Sequence, residues 1–129
     1  MVKAVRYFSK TGHTKAIAEG IAKGAGVPAV SITDEPVLKS PVDVLYLGGA
    51  PYANIMAPEL REYAESLDPA LIGEVVLFTT SNWSRRTVIA LKKILREKGI
   101  TVADSYFYAH MLQIESKMEA AKQFGAKFR

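Results

Sequence analysis

The amino-acid sequence predicts an α/β fold in which helices cover both faces of a doubly wound, parallel, five-stranded sheet. Short apolar runs alternate along the chain with segments whose apolar residues recur every three or four positions, which is the pattern of strands alternating with helices. The runs are nearly continuous in apolar residues, as expected of strands covered on both faces. Three of them end in polar loops, which would meet at the carboxyl edge of such a sheet. A chain of 129 residues is expected to form one domain, 1–129.

The five predicted strands are rich in β-branched and other apolar residues. The first is interrupted only by Lys3 and Arg6. The second contains Pro28, which favours an edge position because proline cannot donate to the ladder of hydrogen bonds. The fifth carries Tyr106-Phe107-Tyr108, which are good strand formers. The predicted strands cover 2–8, 27–32, 42–47, 74–80 and 100–108.

The four predicted helices are amphipathic. Gly26 follows the first, Pro58 suits the first turn of the second, and Gly99 follows the third. No obvious helix lies between the second and third strands, where a polar connection occupies 33–41. The predicted helices cover about 15–25, 58–67, the surroundings of 88–95, and 116–128.

Composition excludes several classes of protein. The chain has a net charge of +4 and no cysteine, so disulfides and thiolate metal sites are excluded. No apolar run reaches the roughly 18 residues that span a bilayer, and the N-terminus lacks a signal-peptide pattern. A cytoplasmic protein without a membrane partner is therefore expected. Lysine and arginine are spread along the chain, which favours solvated helix faces over nucleic-acid binding.

The loop from Ser9 to Thr14 carries the strongest functional signal. It joins a strand directly to a helix, so its amides and those of the first helical turn converge where the helix dipole favours an anion. Ser9, Thr11 and Thr14 add hydroxyl donors, and Gly12 lets the main chain approach a ligand closely. The loop is predicted to hold a phosphomonoester, although Thr14 also fits a simple helix N-cap.

Two further loops place aromatic residues at the same edge. The loop after the third strand contains Tyr52, and the loop after the fourth contains Trp83, the only tryptophan. Rigid aromatic surfaces stack well on planar ligands, so these loops favour a flat heterocyclic mononucleotide. The alternatives are a partly exposed tyrosine and a tryptophan packed against the core. Neither a P-loop nor a dinucleotide-binding glycine motif is present, and no metal site or catalytic nucleophile is predicted.

The segment Tyr7-Phe8-Ser9-Lys10-Thr11-Gly12-His13-Thr14 resembles the phosphate-binding motif of the flavodoxin family, and the resemblance extends over nearly the whole chain. Gly48-Gly49-Ala50-Pro51-Tyr52 resembles the family's second flavin loop and Thr80 to Trp83 its third. The resemblance implies a flavodoxin-like sheet of order 2-1-3-4-5 with FMN at its switch point. It also implies one- or two-electron transfer, in which the protein supplies no acid, base or nucleophile.

The resemblance further implies which residues hold FMN. The phosphate would be held by the first loop, namely Ser9, Lys10, Thr11, Gly12, His13 and Thr14. The isoalloxazine ring would lie between the second and third loops, namely Ala50, Pro51, Tyr52, Ala53, Asn54, Thr79, Thr80, Ser81, Asn82 and Trp83.

The chain departs from the family pattern in its charge. Electron-carrying flavodoxins are typically strongly acidic, whereas this chain is basic, with Lys10, Arg85 and Arg86 near the predicted loops. Positive surroundings stabilise a reduced, anionic flavin, so a less reducing flavin and a redox partner with an acidic face are predicted. Two alternatives are an FMN-dependent NAD(P)H:quinone-type reductase and a flavin-free scaffold that binds a protein or RNA.

Overall fold

A parallel, five-stranded β-sheet forms the centre of the computed structural model, which describes residues 1–52, 55–81 and 84–128. The strands in chain order are β1 (Lys3–Phe8), β2 (Ala29–Ser31), β3 (Val42–Gly49), β4 (Pro51–Tyr52), β5 (Ile55–Met56), β6 (Ile72–Ser81) and β7 (Val102–His110). The sheet has the order β2-β1-β3-β6-β7, and β4 and β5 form a separate antiparallel ribbon. Counted along the chain, its five strands therefore have the predicted order 2-1-3-4-5.

Four helices cover the two faces of this sheet, as predicted. They are α1 (His13–Ala25), α2 (Pro58–Ser66), α3 (Arg86–Glu97) and α4 (Met118–Lys127). One hydrophobic cluster joins α2 and α3 to one face, and a second cluster joins α1 and α4 to the other. Alternate residues of β1 serve the two clusters: Ala4 and Phe8 contribute to the first, and Val5 and Tyr7 to the second.

The connection from β2 to β3 contains no helix, as the sequence indicates. Residues 33–41 run from the carboxyl end of β2 back to the amino end of β3 and contribute Leu38 to the core. Arg6 is central in β1 and lies between core residues Ala4 and Phe8 in the strand's alternation. Its Nη2 donates to Glu35 of the connection at 2.9 Å, so an ion pair ties this segment to the sheet.

Helices α1 and α4 approach each other closely because small residues lie between them. A Cβ atom on Gly125 would come within 1.9 Å of the carbonyl oxygen of Ile21, and one on Gly24 within 1.8 Å of that of Lys122. Beneath this contact, the buried Tyr46 hydroxyl donates to the carbonyl oxygen of Gly125 at 2.8 Å. Burial, together with the charge of Glu74, raises the pKa of Tyr46 to about 12.

Strand boundaries differ from the predictions mainly at the carboxyl edge. Strands β6 and β7 extend to Ser81 and His110, beyond the predicted ends at 80 and 108, and β3 extends to Gly49. Parallel pairing explains the extension, since Thr79, Thr80 and Ser81 pair in register with the last residues of β7. The sequence places Thr79 and Thr80 both at the end of the fourth strand and in the third loop, and Ser81 in the loop alone. All three lie in β6, so the strand prediction is confirmed for the first two, and the loop prediction is wrong for Ser81.

Strand β7 is an edge strand and carries an irregularity. Between the pairs Val75–Val102 and Leu77–Tyr106, β7 advances four positions while β6 advances two. The extra residues include Asp104, whose side chain is fully exposed and lies 3.6 Å from Arg96. At the opposite edge, β2 has only three residues.

Candidate functional site

The loop between β1 and α1 forms an open, positively polarised corner at the carboxyl edge. Gly12 has φ = 92°, a left-handed conformation that other residues rarely adopt, and a Cβ there would meet nothing within 4 Å. Its carbonyl accepts the first helical bond, from the amide of Ala16 at 3.1 Å. The amides of His13, Thr14 and Lys15 precede that bond and so have no carbonyl partner within the helix. The corner therefore offers several donors and the positive end of a helix dipole.

Hydroxyl groups organise this corner. Ser9 Oγ accepts a hydrogen bond from the amide of Gly12 at 3.0 Å, which leaves its own proton available to a ligand. The hydroxyl of Thr11 lies 3.2 Å from His13 Nδ1. The hydroxyl of Thr14 is buried and lies 2.8 Å from that of Thr80 at the end of β6. Ser9 and Thr11 are thus the accessible hydroxyl groups, whereas Thr14 connects the loop to the sheet.

Tyr52 connects the first loop to the second. Its hydroxyl accepts from the amide of Lys10 at 2.7 Å, and Lys10 Nζ lies 4.7 Å from the centre of its ring. Phe8 packs edge-on against the same ring, with centroids 6.3 Å apart. The ring is therefore held by three contacts and is half-buried in β4, beside the buried Ala50. The sequence did not reveal that Tyr52 bonds to the backbone of the first loop.

The end of β6 is held to its neighbours by hydroxyl groups. Thr79 Oγ1 donates to the carbonyl of Gly49 at 2.7 Å, and Ser81 Oγ donates to that of Ser84 at 2.6 Å. Tyr108, which sequence analysis interpreted as strand packing, donates its hydroxyl to the carbonyl of Ser81 at 3.1 Å. These bonds satisfy polar groups that are buried at Thr79 and Ser81 and half-buried at Tyr108. They make Thr79, Thr80 and Ser81 supports of the edge, with little surface of their own.

The structure brings the three predicted loops to one edge. β1, β3 and β6 are adjacent and parallel, so the segments that follow them lie side by side. Direct bonds join the first loop to the second through Lys10 and Tyr52, and the first to the third through Thr14 and Thr80. Ala53, Asn54, Asn82 and Trp83 of the predicted ring site lie outside the described residues, so their predicted contacts stay predictions.

The exposed cations near this edge are Lys10, Lys15, Arg85 and Arg86. They give it a positive character that adds to the dipole of α1. Residues 1–52, 55–81 and 84–128 contain no cluster of three or more histidine, aspartate or glutamate side chains that would hold a metal ion. Within the same residues, no helix has both the length and the apolar content needed to cross a bilayer.

Comparison with solved structures identifies the fold. Neither a family model nor a curated protein matches the sequence. A flavodoxin from the domain Archaea has a TM-score of 0.80 and 22% identity, covering 98% of this chain and 94% of its own. A WrbA-like flavodoxin from Agrobacterium tumefaciens has a TM-score of 0.75 and 18% identity, with coverages of 98% and 94%. Flavodoxin 2 from Bacillus cereus has a TM-score of 0.68 and 16% identity, with coverages of 99% and 100%.

These similarities extend over nearly the full length of both chains in each comparison. The strand order β2-β1-β3-β6-β7, with helices on both faces, is the arrangement expected from the sequence resemblance. The chain therefore has the flavodoxin-like fold.

Proposed function

We propose that this protein binds FMN at the carboxyl edge of the sheet and carries electrons between protein partners. The observation that carries the proposal is the β1–α1 corner, where Gly12 at φ = 92° turns the chain beside the open amides of α1. Ser9, Lys10, Thr11, Gly12, His13 and Thr14 would hold the phosphate. A doubly charged phosphate fits this corner because it accepts several hydrogen bonds and complements the helix dipole.

The ring would lie beside Ala50, Pro51 and Tyr52, with the end of β6 beneath it, and Ala53, Asn54, Asn82 and Trp83 are further proposed contacts. Bound FMN would supply the electron transfer itself. The residues of the chain would bind its phosphate, orient its ring and set the charge around it. No acid, base or nucleophile is assigned.

Titration with two flavins tests the proposal. FMN and riboflavin differ only in the phosphate, so we expect FMN to bind at least about a hundredfold more tightly, a difference of about 2.7 kcal/mol. Flavin fluorescence quenching measures both affinities. Equal affinity for the two flavins, or no quenching by either, would refute phosphate capture.

A pair of matched variants locates the phosphate. Thr11→Ala removes an exposed hydroxyl from the corner, and we expect it to weaken FMN binding by about tenfold while leaving riboflavin binding unchanged. Thr101→Ala removes an exposed hydroxyl at the opposite edge, before β7, and is expected to change neither affinity. Equal effects of the two substitutions would place the phosphate elsewhere.

We infer that the redox partner is a protein with an acidic face. Arg86, Ile89, Lys93 and Arg96 form an exposed row along α3, here called the α3 stripe, which begins at the carboxyl edge. Ile89 is 64% exposed within this row of cations. An apolar residue within a charged rim is typical of a protein interface.

The neighbouring helix argues against an extended polyanion as the partner. On α2, which packs beside α3, Glu59, Glu62 and Glu65 are exposed. These carboxylates would repel a nucleic acid or an anionic membrane lying across both helices, whereas a protein can present a localised acidic patch to α3 alone.

A steady-state assay distinguishes an electron carrier from a reductase. An electron carrier is expected to show no steady-state oxidation of NADH or NADPH with quinone acceptors, and turnover would assign the protein to the reductase class instead.

Potentiometry tests the prediction of a less reducing flavin. A cytoplasmic location also stays a prediction, which cell fractionation would test.

A further inference from the structure

The hydroxyl of Tyr52 lies at the edge of the β1–α1 corner and has a proton to donate. It accepts a hydrogen bond from the amide of Lys10 at 2.7 Å, in an exposed position. A phenol oxygen that accepts one bond still carries its own O–H donor. Among the described residues, no group accepts that proton. The hydroxyl can therefore donate to a ligand that occupies the corner.

Tyr52 and Ser9 present their hydroxyl groups in the same way. Each oxygen accepts from a backbone amide of the first loop, Lys10 at 2.7 Å for Tyr52 and Gly12 at 3.0 Å for Ser9. Hydrogen bonds in a chain polarise one another, so a hydroxyl that accepts from an amide becomes a better donor. Because Tyr52 engages the amide of Lys10, the polarity of that amide reaches a ligand through the phenol.

The charge around this hydroxyl favours an anionic acceptor. Lys10 Nζ lies 4.7 Å from the centre of the Tyr52 ring. Within the described part of the chain, no carboxylate forms an ion pair with Lys10. The ammonium group therefore attracts a negatively charged ligand to the position that the hydroxyl can reach. It also covers one face of the ring, while Phe8 packs edge-on, so only the other face can border a stacked flavin.

The ribbon of β4 and β5 holds this tyrosine in place. Tyr52 pairs with Ile55, and Pro51 pairs with Met56. Met56 is buried in the hydrophobic cluster against which the Tyr52 ring packs. A donor that is already fixed in position loses little conformational freedom when a ligand binds, so it contributes more to affinity than a mobile one.

We propose that the Tyr52 hydroxyl donates a hydrogen bond to the phosphate of FMN and thereby helps the site to prefer a phosphorylated flavin. This inference rests on the proposed function and adds a role at the phosphate to the place of Tyr52 beside the ring. The donors to the phosphate then come from two loops, because the second loop contributes its tyrosine to the corner formed by the first.

Titration of Tyr52→Phe with FMN and with riboflavin tests this role. The substitution keeps the aromatic ring beside Phe8 and removes only the hydroxyl. We expect the affinity for FMN to fall by about tenfold and the affinity for riboflavin to stay unchanged, because riboflavin has no phosphate to accept the bond. Tyr106→Phe, which alters a half-buried tyrosine on β7, is the matched control and should bind both flavins like the wild type.

A ring-fluorinated tyrosine at position 52 separates donation to the phosphate from support of the loop. Fluorination lets the phenol ionise near neutral pH. The phenolate still accepts from the amide of Lys10, but it has no proton to donate and carries a negative charge. We expect the affinity for FMN to fall by about tenfold or more as this phenol ionises, measured against the wild type over the same pH interval. Support of the loop alone predicts no such fall.

Three results would overturn the proposal. These are an unchanged FMN affinity in Tyr52→Phe, an equal weakening of both flavins, and an FMN affinity that does not respond to ionisation of the fluorinated phenol. The proposed function is tested by the wild type alone, through its preference for FMN over riboflavin. A wild-type preference that Tyr52→Phe keeps in full would therefore remove the role of the hydroxyl and leave phosphate capture by the first loop intact.

Discussion

Comparing Gly12 with Gly26 separates the effect of a left-handed backbone conformation on stability from its effect on ligand binding. Gly12 and Gly26 both have positive φ, 92° and 77°, and a Cβ would meet nothing within 4 Å at either position. Alanine should therefore cost each site about 1–2 kcal/mol of unfolding free energy through backbone strain alone. Only Gly12 lies in the candidate phosphate corner.

We expect Gly12→Ala and Gly26→Ala to destabilise the protein similarly in urea unfolding, while Gly12→Ala alone weakens FMN binding, by about tenfold or more. Gly26, which ends α1 at its other terminus, provides the control. Loss of FMN affinity in both variants would show that stability, and not the corner, governs binding.

The stability of the fold at high pH depends on the protonation of Tyr46. Its folded-state pKa of about 12 exceeds its ordinary value of 10.0 because burial and Glu74 oppose ionisation. The native state thus keeps a proton that the unfolded chain releases. This contribution to stability is fully present below about pH 10 and is lost as pH rises through 12.

We expect Tyr46→Phe to lower stability near neutral pH by about 1 kcal/mol, since the carbonyl of Gly125 loses its donor. The same variant should lose less stability than the wild type between pH 10 and 12. Denaturant midpoints measured across that interval check the slope, with Tyr106→Phe as a control that keeps Tyr46. An unchanged slope in Tyr46→Phe would contradict the assignment.

At the scale of elements, the contact between α1 and α4 depends on the position of each glycine. A Cβ on Gly125 would strike the rigid backbone at Ile21, whereas one on Gly20 would meet the side chains of Ala121 and Met118 at 3.1 and 3.2 Å. Met118 is flexible and can move aside. Alanine also has the higher helix propensity, by about 1 kcal/mol.

Gly125→Ala is therefore expected to lower the free energy of unfolding by about 1–3 kcal/mol or more through overpacking, and Gly20→Ala by less than about 1 kcal/mol. Urea denaturation of both variants measures the difference. A Gly125→Ala protein as stable as Gly20→Ala would mean that the two helices separate easily.

The elements were largely predictable, because apolar periodicity reports directly on burial. The strand order came from the resemblance, and its confirmation followed from parallel pairing in the structure. The end of β6 was predicted ambiguously, since Thr79 and Thr80 fitted both the fourth strand and the third loop, and Ser81 was assigned to the loop, until their partners Gly49, Thr14 and Ser84 were known. The bonds of Thr79 to Gly49 and of Thr80 to Thr14 join residues distant in sequence, so local patterns could not reveal them.

Separation along the sequence also explains which contacts of the site could not be predicted. The corner at Ser9 to Thr14 is contiguous, so its composition and position indicated its geometry. The bond from Lys10 to Tyr52 spans two loops, and the bond between Thr14 and Thr80 joins a helix to a strand. An arginine within an apolar strand indicated a largely buried charge, but its partner Glu35 in the β2–β3 connection has no sequence signature.

For the whole molecule, charge is arranged by helix: α2 exposes three glutamates and α3 exposes the α3 stripe. If the stripe guides an acidic partner, electron exchange with an acidic ferredoxin should slow as ionic strength rises, because salt screens the attraction. Basic cytochrome c should show the opposite or no trend. Stopped-flow oxidation of the reduced holoprotein measures both rates.

The double variant Arg86→Glu/Lys93→Glu should slow exchange with the ferredoxin by about tenfold at low salt. Lys23→Glu/Lys122→Glu reverses two exposed cations on α1 and α4 and gives the same net charge as the first double variant, so it is the matched control. Equal slowing in both double variants would show that net charge alone slows the exchange, and it would contradict docking at α3.

The irregularity of the edge strand β7 affects whether the protein can self-associate at high concentration. A regular strand of nine residues at the border of a sheet would be a template onto which a neighbouring chain adds its own strand, and repeated addition yields fibrils. The two extra residues around Asp104 bend that border and place an exposed carboxylate on it. At the far border, three residues are too few to seed such growth. Both flanks of the sheet thus oppose self-polymerisation of the protein at high concentration.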